Sequence, residues 1–131
     1  MRRSDQRRDA VFALYQRDVT GRGLEDLLGD SRGFTRELAE GTASAEGELD
    51  ETIGRLSRGW TLDRIAPLEL NIMRVALFEM SRSEDVPAEV AINEAVEMAK
   101  LYCGAEAPKY VNGVLGAAVC EPGFAGERQA S

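Results

Sequence analysis

PLELNIMRVALFEMSRSEDVPAEVAINEAVEMAKLYCGAEAPKYVNGVL, residues 67–115, decides the fold. It contains three helix signals in a row, each with a start and a stop. The first, Leu68–Ser81, is apolar on nearly every face, and a helix of that kind is buried. It is too short for a membrane span, which needs roughly 20 residues. It is therefore the predicted central rod. Glu69, Asn71, Arg74 and Glu79 interrupt its apolar surface and need partners or a function. Pro87 opens the second helix, which runs to Cys103 and stops at Gly104. Its stripe is Ala91, Ala95, Met98, Ala99 and Tyr102, small enough for close helix packing. Pro108 opens the third, with Val111, Val114, Leu115 and Ala118 as its core face and Pro122-Gly123 as its stop.

Upstream, Val11, Leu14, Tyr15 and Val19 recur at helical spacing and predict a first helix over residues 4–20, ended at Thr20-Gly21. A short helix, Leu24–Leu28, follows. Phe34, Leu38, Thr42, Ala45, Leu49, Ile53, Leu56 and Trp60 then mark one face of a long helix or of two collinear ones. Gly41, Gly47 and Gly54 weaken it, each by roughly 1 kcal/mol relative to Ala, so a kink or break is expected near Gly47. Its acids, Glu37, Glu40, Glu46, Glu48, Asp50 and Glu51, read as a solvated face. Thr61 is placed to cap a short helix through Ile65. No alternating strand pattern occurs, so the fold class is all-α with about six or seven helices.

The 131 residues fit a single domain over 1–120, with residues 121–131 as a disordered tail. The composition is 44% hydrophobic and 30% charged, with no apolar run of membrane length and no signal-peptide pattern. A soluble cytoplasmic protein is expected. Histidine is absent, which removes histidine bases and ligands together. Cys103 and Cys120 form no metal-binding spacing and read as buried structural thiols; no metal and no cofactor is expected. The net charge of −7 is uneven. Residues 1–23 carry six Arg against Asp5, Asp9 and Asp18, whereas residues 24–51 carry nine acids against two Arg. A basic head on an acidic body suggests that the head meets an anion. The alternatives for that head are a solvated end and a phosphate-binding helix.

The runs Leu70-x-Ile72-Met73-Arg74-Val75-Ala76-Leu77-Phe78-Glu79-Met80, VPAEVAINEAVEMAK and KYVNGVL resemble the NusB family of transcription antitermination factors. Arg7, Ala10, Ala13, Leu14 and Tyr15 match the family's first helix, and Trp60-x-Leu62-x-Arg64 its central turn. The resemblance spans most of residues 3–119 and is slight over about 20–50. It implies two packed three-helix subdomains, about 1–58 and 59–120, and a non-enzymatic role. It implies binding of single-stranded boxA RNA from ribosomal leader transcripts together with NusE, a small-subunit ribosomal protein. Other Nus factors and RNA polymerase complete the implied assembly.

Carried onto this chain, the resemblance places RNA contacts at Arg2, Arg3, Arg7 and Arg8. Asp5 and Asp9 make this head less basic than is usual for the family. Tyr15 and Tyr110 match aromatic positions, where stacking on bases competes with a plain core role. Lys109 is a further phosphate candidate, and Asn112 is a helix cap or an RNA contact. Asp63 and Glu69 match acids that meet NusE, with Met73 adding apolar contact; surface solvation is the competing reading. Arg74 and Glu79 are expected in internal or rim pairs, and Asn93 and Glu94 in internal hydrogen bonds. Two other functional classes remain open. One is a self-associating scaffold, such as a homodimer. The other is a relative of the NusB-like domain of ribosomal RNA methyltransferases, although no glycine-rich cofactor loop follows before Ser131.

Overall fold

The computed structural model describes residues 2–57, 61–82 and 86–121. Three expectations lie wholly or partly outside them: the Trp60 position, the Pro122-Gly123 stop and the tail. The 58/59 subdomain boundary falls there too. The elements are α1 (Arg3–Thr20), α2 (Leu24–Leu28), α3 (Gly33–Ser44), α4 (Glu46–Leu56), a 3-10 turn (Leu62–Arg64), α5 (Pro67–Arg82), α6 (Ala88–Tyr102) and α7 (Ala107–Cys120). The fold is all-α, and the described residues contain no strand.

Each helix end has a local cause. Gly21 adopts the left-handed conformation at φ 76° and donates its N–H to the Arg17 carbonyl, closing α1. The long apolar pattern does break, but at Ala45 rather than at Gly47. The Ala45 N–H is shared between the Gly41 and Thr42 carbonyls at 3.1 and 3.2 Å, which ends α3 as α4 begins. Thr61 stands at the cap position of the 3-10 turn without capping it, because its hydroxyl bonds the Asp63 carboxylate instead. Pro108 sits in the first turn of α7, where a missing N–H is tolerated.

Helix α5 is the rod that its composition predicts. Residues 70–77 are buried without interruption, and α5 packs against α1, α3, α4, α6 and α7. Leu14, Ile53, Ile72, Leu77 and Leu115 are fully enclosed around it. Each such side chain stabilises the fold by roughly 1.5–3 kcal/mol relative to exposure. Gly41 lets the Phe78 ring lie directly on the backbone of α3.

Three of the four polar interruptions of α5 have internal partners. Asn71 donates to the Pro67 carbonyl at 2.9 Å and to Asp18 at 3.0 Å. Arg74 donates to Asp50 at 2.7 and 2.8 Å, to Asp18 at 2.7 Å and to the Asn71 side-chain oxygen at 3.1 Å. Glu79 accepts three hydrogen bonds from Arg7. Helices α1 and α5 each carry a cation early and an anion late, and the early cation of each meets the late anion of the other. Such buried pairs fix orientation more than they add net stability. They also overturn one expectation: Glu46 and Asp50 are not plain solvated acids, since both lie beside Arg74.

Candidate nucleic-acid interface

The arginine head divides by environment. Arg2 is exposed and lies 3.7 Å from Asp5. Arg8 donates to Asp9 at 3.0 and 3.1 Å and to Asp5 at 3.3 Å, on a half-exposed surface. Arg3 stacks its guanidinium on Phe34 of α3, 4.0 Å from the ring centroid. Arg7 is different, with only 6% of its surface exposed. It forks onto Glu79 at 2.7 and 2.8 Å and reaches Glu94 of α6 at 3.0 Å; Glu94 also accepts from Ser4 at 2.6 Å. The Glu79 hydrogen bonds raise the Arg7 pKa despite the opposing effect of burial, so Arg7 stays charged. Arg7 is therefore corrected from a phosphate contact to an internal tie between α1, α5 and α6. Its donors face carboxylates, and freeing them would strand a buried anion. Of the predicted internal pair on α6, Glu94 is engaged and Asn93 is exposed.

An aromatic pair lies at the α1–α6 seam, with Arg8 one turn before Phe12 on α1. Phe12 and Tyr102 meet edge to face, with centroids 5.1 Å apart and planes at 74°. Tyr102 is 43% exposed, which removes it from the predicted core stripe. Tyr15, on the same helix as Phe12, is half-buried. These rings offer planar surface beside a cation, the combination that holds unstacked bases.

A second concavity lies around the start of α5. It is an open cleft of about 960 Å³ bordered by Leu56, Arg64, Glu69, Lys109, Tyr110 and Val114. The Tyr110 and Ser57 hydroxyls are 2.7 Å apart, so Tyr110 presents a half-buried ring with its polar end already engaged. Glu69 is the fourth polar interruption of α5. It has no hydrogen-bonding or ionic partner among the described residues, and burial pushes its carboxyl pKa up. Residues expected to serve RNA, Lys109 and Tyr110, thus share one cleft with a residue expected to serve a protein. Asp63 and Asn112 are exposed outside it. Met73 is fully buried, which corrects its assignment as a partner contact. Cys103 is half-buried, and burial pushes its thiol pKa up; Cys120 is exposed, contrary to the expected burial.

The family model described as NusB family matches residues 4–119. This chain belongs to the NusB family. A transcription antitermination protein NusB from Rubrobacter xylanophilus is 43% identical over 122 residues, covering 88% of each chain. One from Acetivibrio thermocellus is 36% identical over 129 residues, covering 91% of this chain and 89% of the relative. A solved T. maritima NusB structure superimposes with a TM-score of 0.87 at 26% identity, covering 100% of this chain and 99% of that one. A structure of antitermination factors NusB and NusE with dsRNA has the same fold, with a TM-score of 0.76 at 22% identity over 88% and 93% of the two chains.

Within this NusB-family fold, two features escaped the sequence. Phe12 lies one residue off the Val11–Leu14 stripe, so helical spacing gave it no role. An aromatic flanking an apolar stripe beside arginines was the available signal. Phe34 was counted as part of the α3 face, yet its ring supports Arg3. Nothing local could reveal that contact, because it joins two helices.

Proposed function

We propose that this protein is a transcription antitermination factor that binds single-stranded boxA-type leader RNA together with NusE. In this reading it joins other Nus factors on cytoplasmic RNA polymerase and acts by binding, not by catalysis. The observation that carries the RNA half is the Phe12–Tyr102 pair between α1 and the end of α6, with Arg8 and the half-buried Tyr15 on the Phe12 side of α1 and the exposed Arg2 and Arg3 at the start of that helix. The arginines supply phosphate contacts, which give affinity and salt dependence but no sequence information. The rings supply stacking, worth about 1–3 kcal/mol per base. Lys109, Tyr110 and Asn112 extend the contact onto α7.

The protein half rests on the cleft at Glu69. A partly desolvated carboxylate with no ionic partner among the described residues suits a basic partner such as a ribosomal protein, and the exposed Asp63 adds negative charge outside the cleft. The overall charge of −7 favours that partner and opposes bare RNA. NusE therefore supplies both contacts and charge neutralisation.

The test combines co-purification with NusE and titration of a labelled boxA RNA. NusE should tighten RNA binding, and added salt should weaken it. Glu69→Lys should loosen the NusE pair, and Arg8→Glu should weaken RNA binding while leaving that pair intact. Absence of any RNA shift at low salt with NusE present would overturn the reading.

A further inference from the structure

The four arginines of the head are not equivalent. Arg2 and Arg8 face Asp5 and Asp9, and Arg7 is enclosed with Glu79 and Glu94. Arg3 alone among them has no carboxylate partner among the described residues. Its guanidinium lies over Phe34, 4.0 Å from the centroid. Stacking occupies the face of a guanidinium and leaves its in-plane N–H groups available. The ring is itself well seated. Gly33 enters α3 at φ +62°, a conformation that suits glycine and turns the chain into the helix. Arg36 ties the preceding loop by donating to the Ser31 carbonyl at 2.8 Å and the Gly29 carbonyl at 2.9 Å. Arg7 lies 5.3 Å from the same ring, but its charge is met by two carboxylates, so it does not drive Arg3 away.

We propose that Phe34 is a positioning residue for RNA binding: its ring holds the Arg3 guanidinium flat and outward, making Arg3 the phosphate-contacting arginine of the head. The ligand class is the phosphodiester backbone of single-stranded RNA, and the inference rests on the RNA-binding reading above. Arg3 is the first residue of α1, where an unsupported side chain would sample many rotamers. The ring restricts that sampling before RNA arrives, which favours binding without any direct contact between Phe34 and the nucleic acid.

A double-mutant cycle tests this, using the full chain with NusE and a labelled boxA RNA over a range of salt. Phe34→Leu should weaken binding about two- to five-fold, the range of an exposed cation–π contact, and Phe34→Tyr should restore it. Arg3→Ala should weaken binding further and lower the salt-dependence slope by about one. Phe34→Leu should then have no additional effect in the Arg3→Ala background. Additive losses, or an unchanged affinity in Phe34→Leu, would overturn the proposal. Should Phe34→Leu fail to fold, Arg3→Lys decides, since it keeps the charge, loses the flat stacking group and leaves the core untouched. Parental affinity in Arg3→Lys would count against the proposal. A parent that binds RNA with an additive cycle removes only this inference, whereas a parent that never binds removes the RNA-binding reading as well.

Discussion

Arg7 and Glu79 stand 72 residues apart in the chain and 2.7 Å apart in the fold. Removing one partner leaves a buried charge uncompensated, which costs about 3–5 kcal/mol. Arg7→Met should lower the urea midpoint accordingly, and Arg7→Met with Glu79→Leu should recover a large part of it. Equal stability of Arg7→Met and the parent would show that the pair is solvated. Glu69 has the opposite character. Its folded pKa is raised, so its favourable contribution is present below the ordinary carboxyl pKa and is lost as pH rises through the raised value. Glu69→Gln should therefore be more stable than the parent at neutral pH and indistinguishable from it in acid. Thermal unfolding across that range reads the difference, and a gap that widens in acid would contradict it. The sequence showed that Glu69 and Glu79 needed explaining. It could not show that Arg7 is enclosed, because a surface arginine and a buried one are the same letter until distant carboxylates arrive.

Helix periodicity was legible for every long element, because 3.6-residue spacing reflects burial directly. The α3–α4 break was legible only in outline. Glycine content marks where a helix is weak, whereas the break itself falls at Ala45, which caps both helices. The glycines consequently differ in role. Gly47 is exposed with open space around it, so Gly47→Ala should stabilise the protein by about 0.5–1 kcal/mol. Gly41 lies under the Phe78 ring, where an added methyl overlaps the ring. Gly41→Ala should destabilise despite its better helix propensity, since overpacking costs typically 1–3 kcal/mol. Pairing it with Phe78→Leu should relieve the loss. Chemical denaturation of the three variants checks both signs, and a stabilising Gly41→Ala would refute the close α3–α5 contact.

At the scale of the molecule, α5 touches five other helices, while α2 is short and packs mainly on α1. Hydrogen exchange should follow that arrangement, slowest along residues 70–77 and fast in α2. Comparable protection of the two would argue against a hub. The all-helical class and the family were legible from residues 67–115 alone, yet the division of labour was not. RNA and partner roles were assigned to different residues, and the cleft brings Lys109, Tyr110 and Glu69 together. The complementary charges of α1 and α5 have a further consequence, for synthesis. Helix α1 leaves the ribosome before its anchors Glu79 and Glu94, which follow Arg7 by 72 and 87 residues. Until those acids emerge, Arg7 has neither of its two carboxylate partners. The ion pairs of α1 with α5 and α6 are therefore complete only after α6 has emerged, although α1 can pack on α3 earlier.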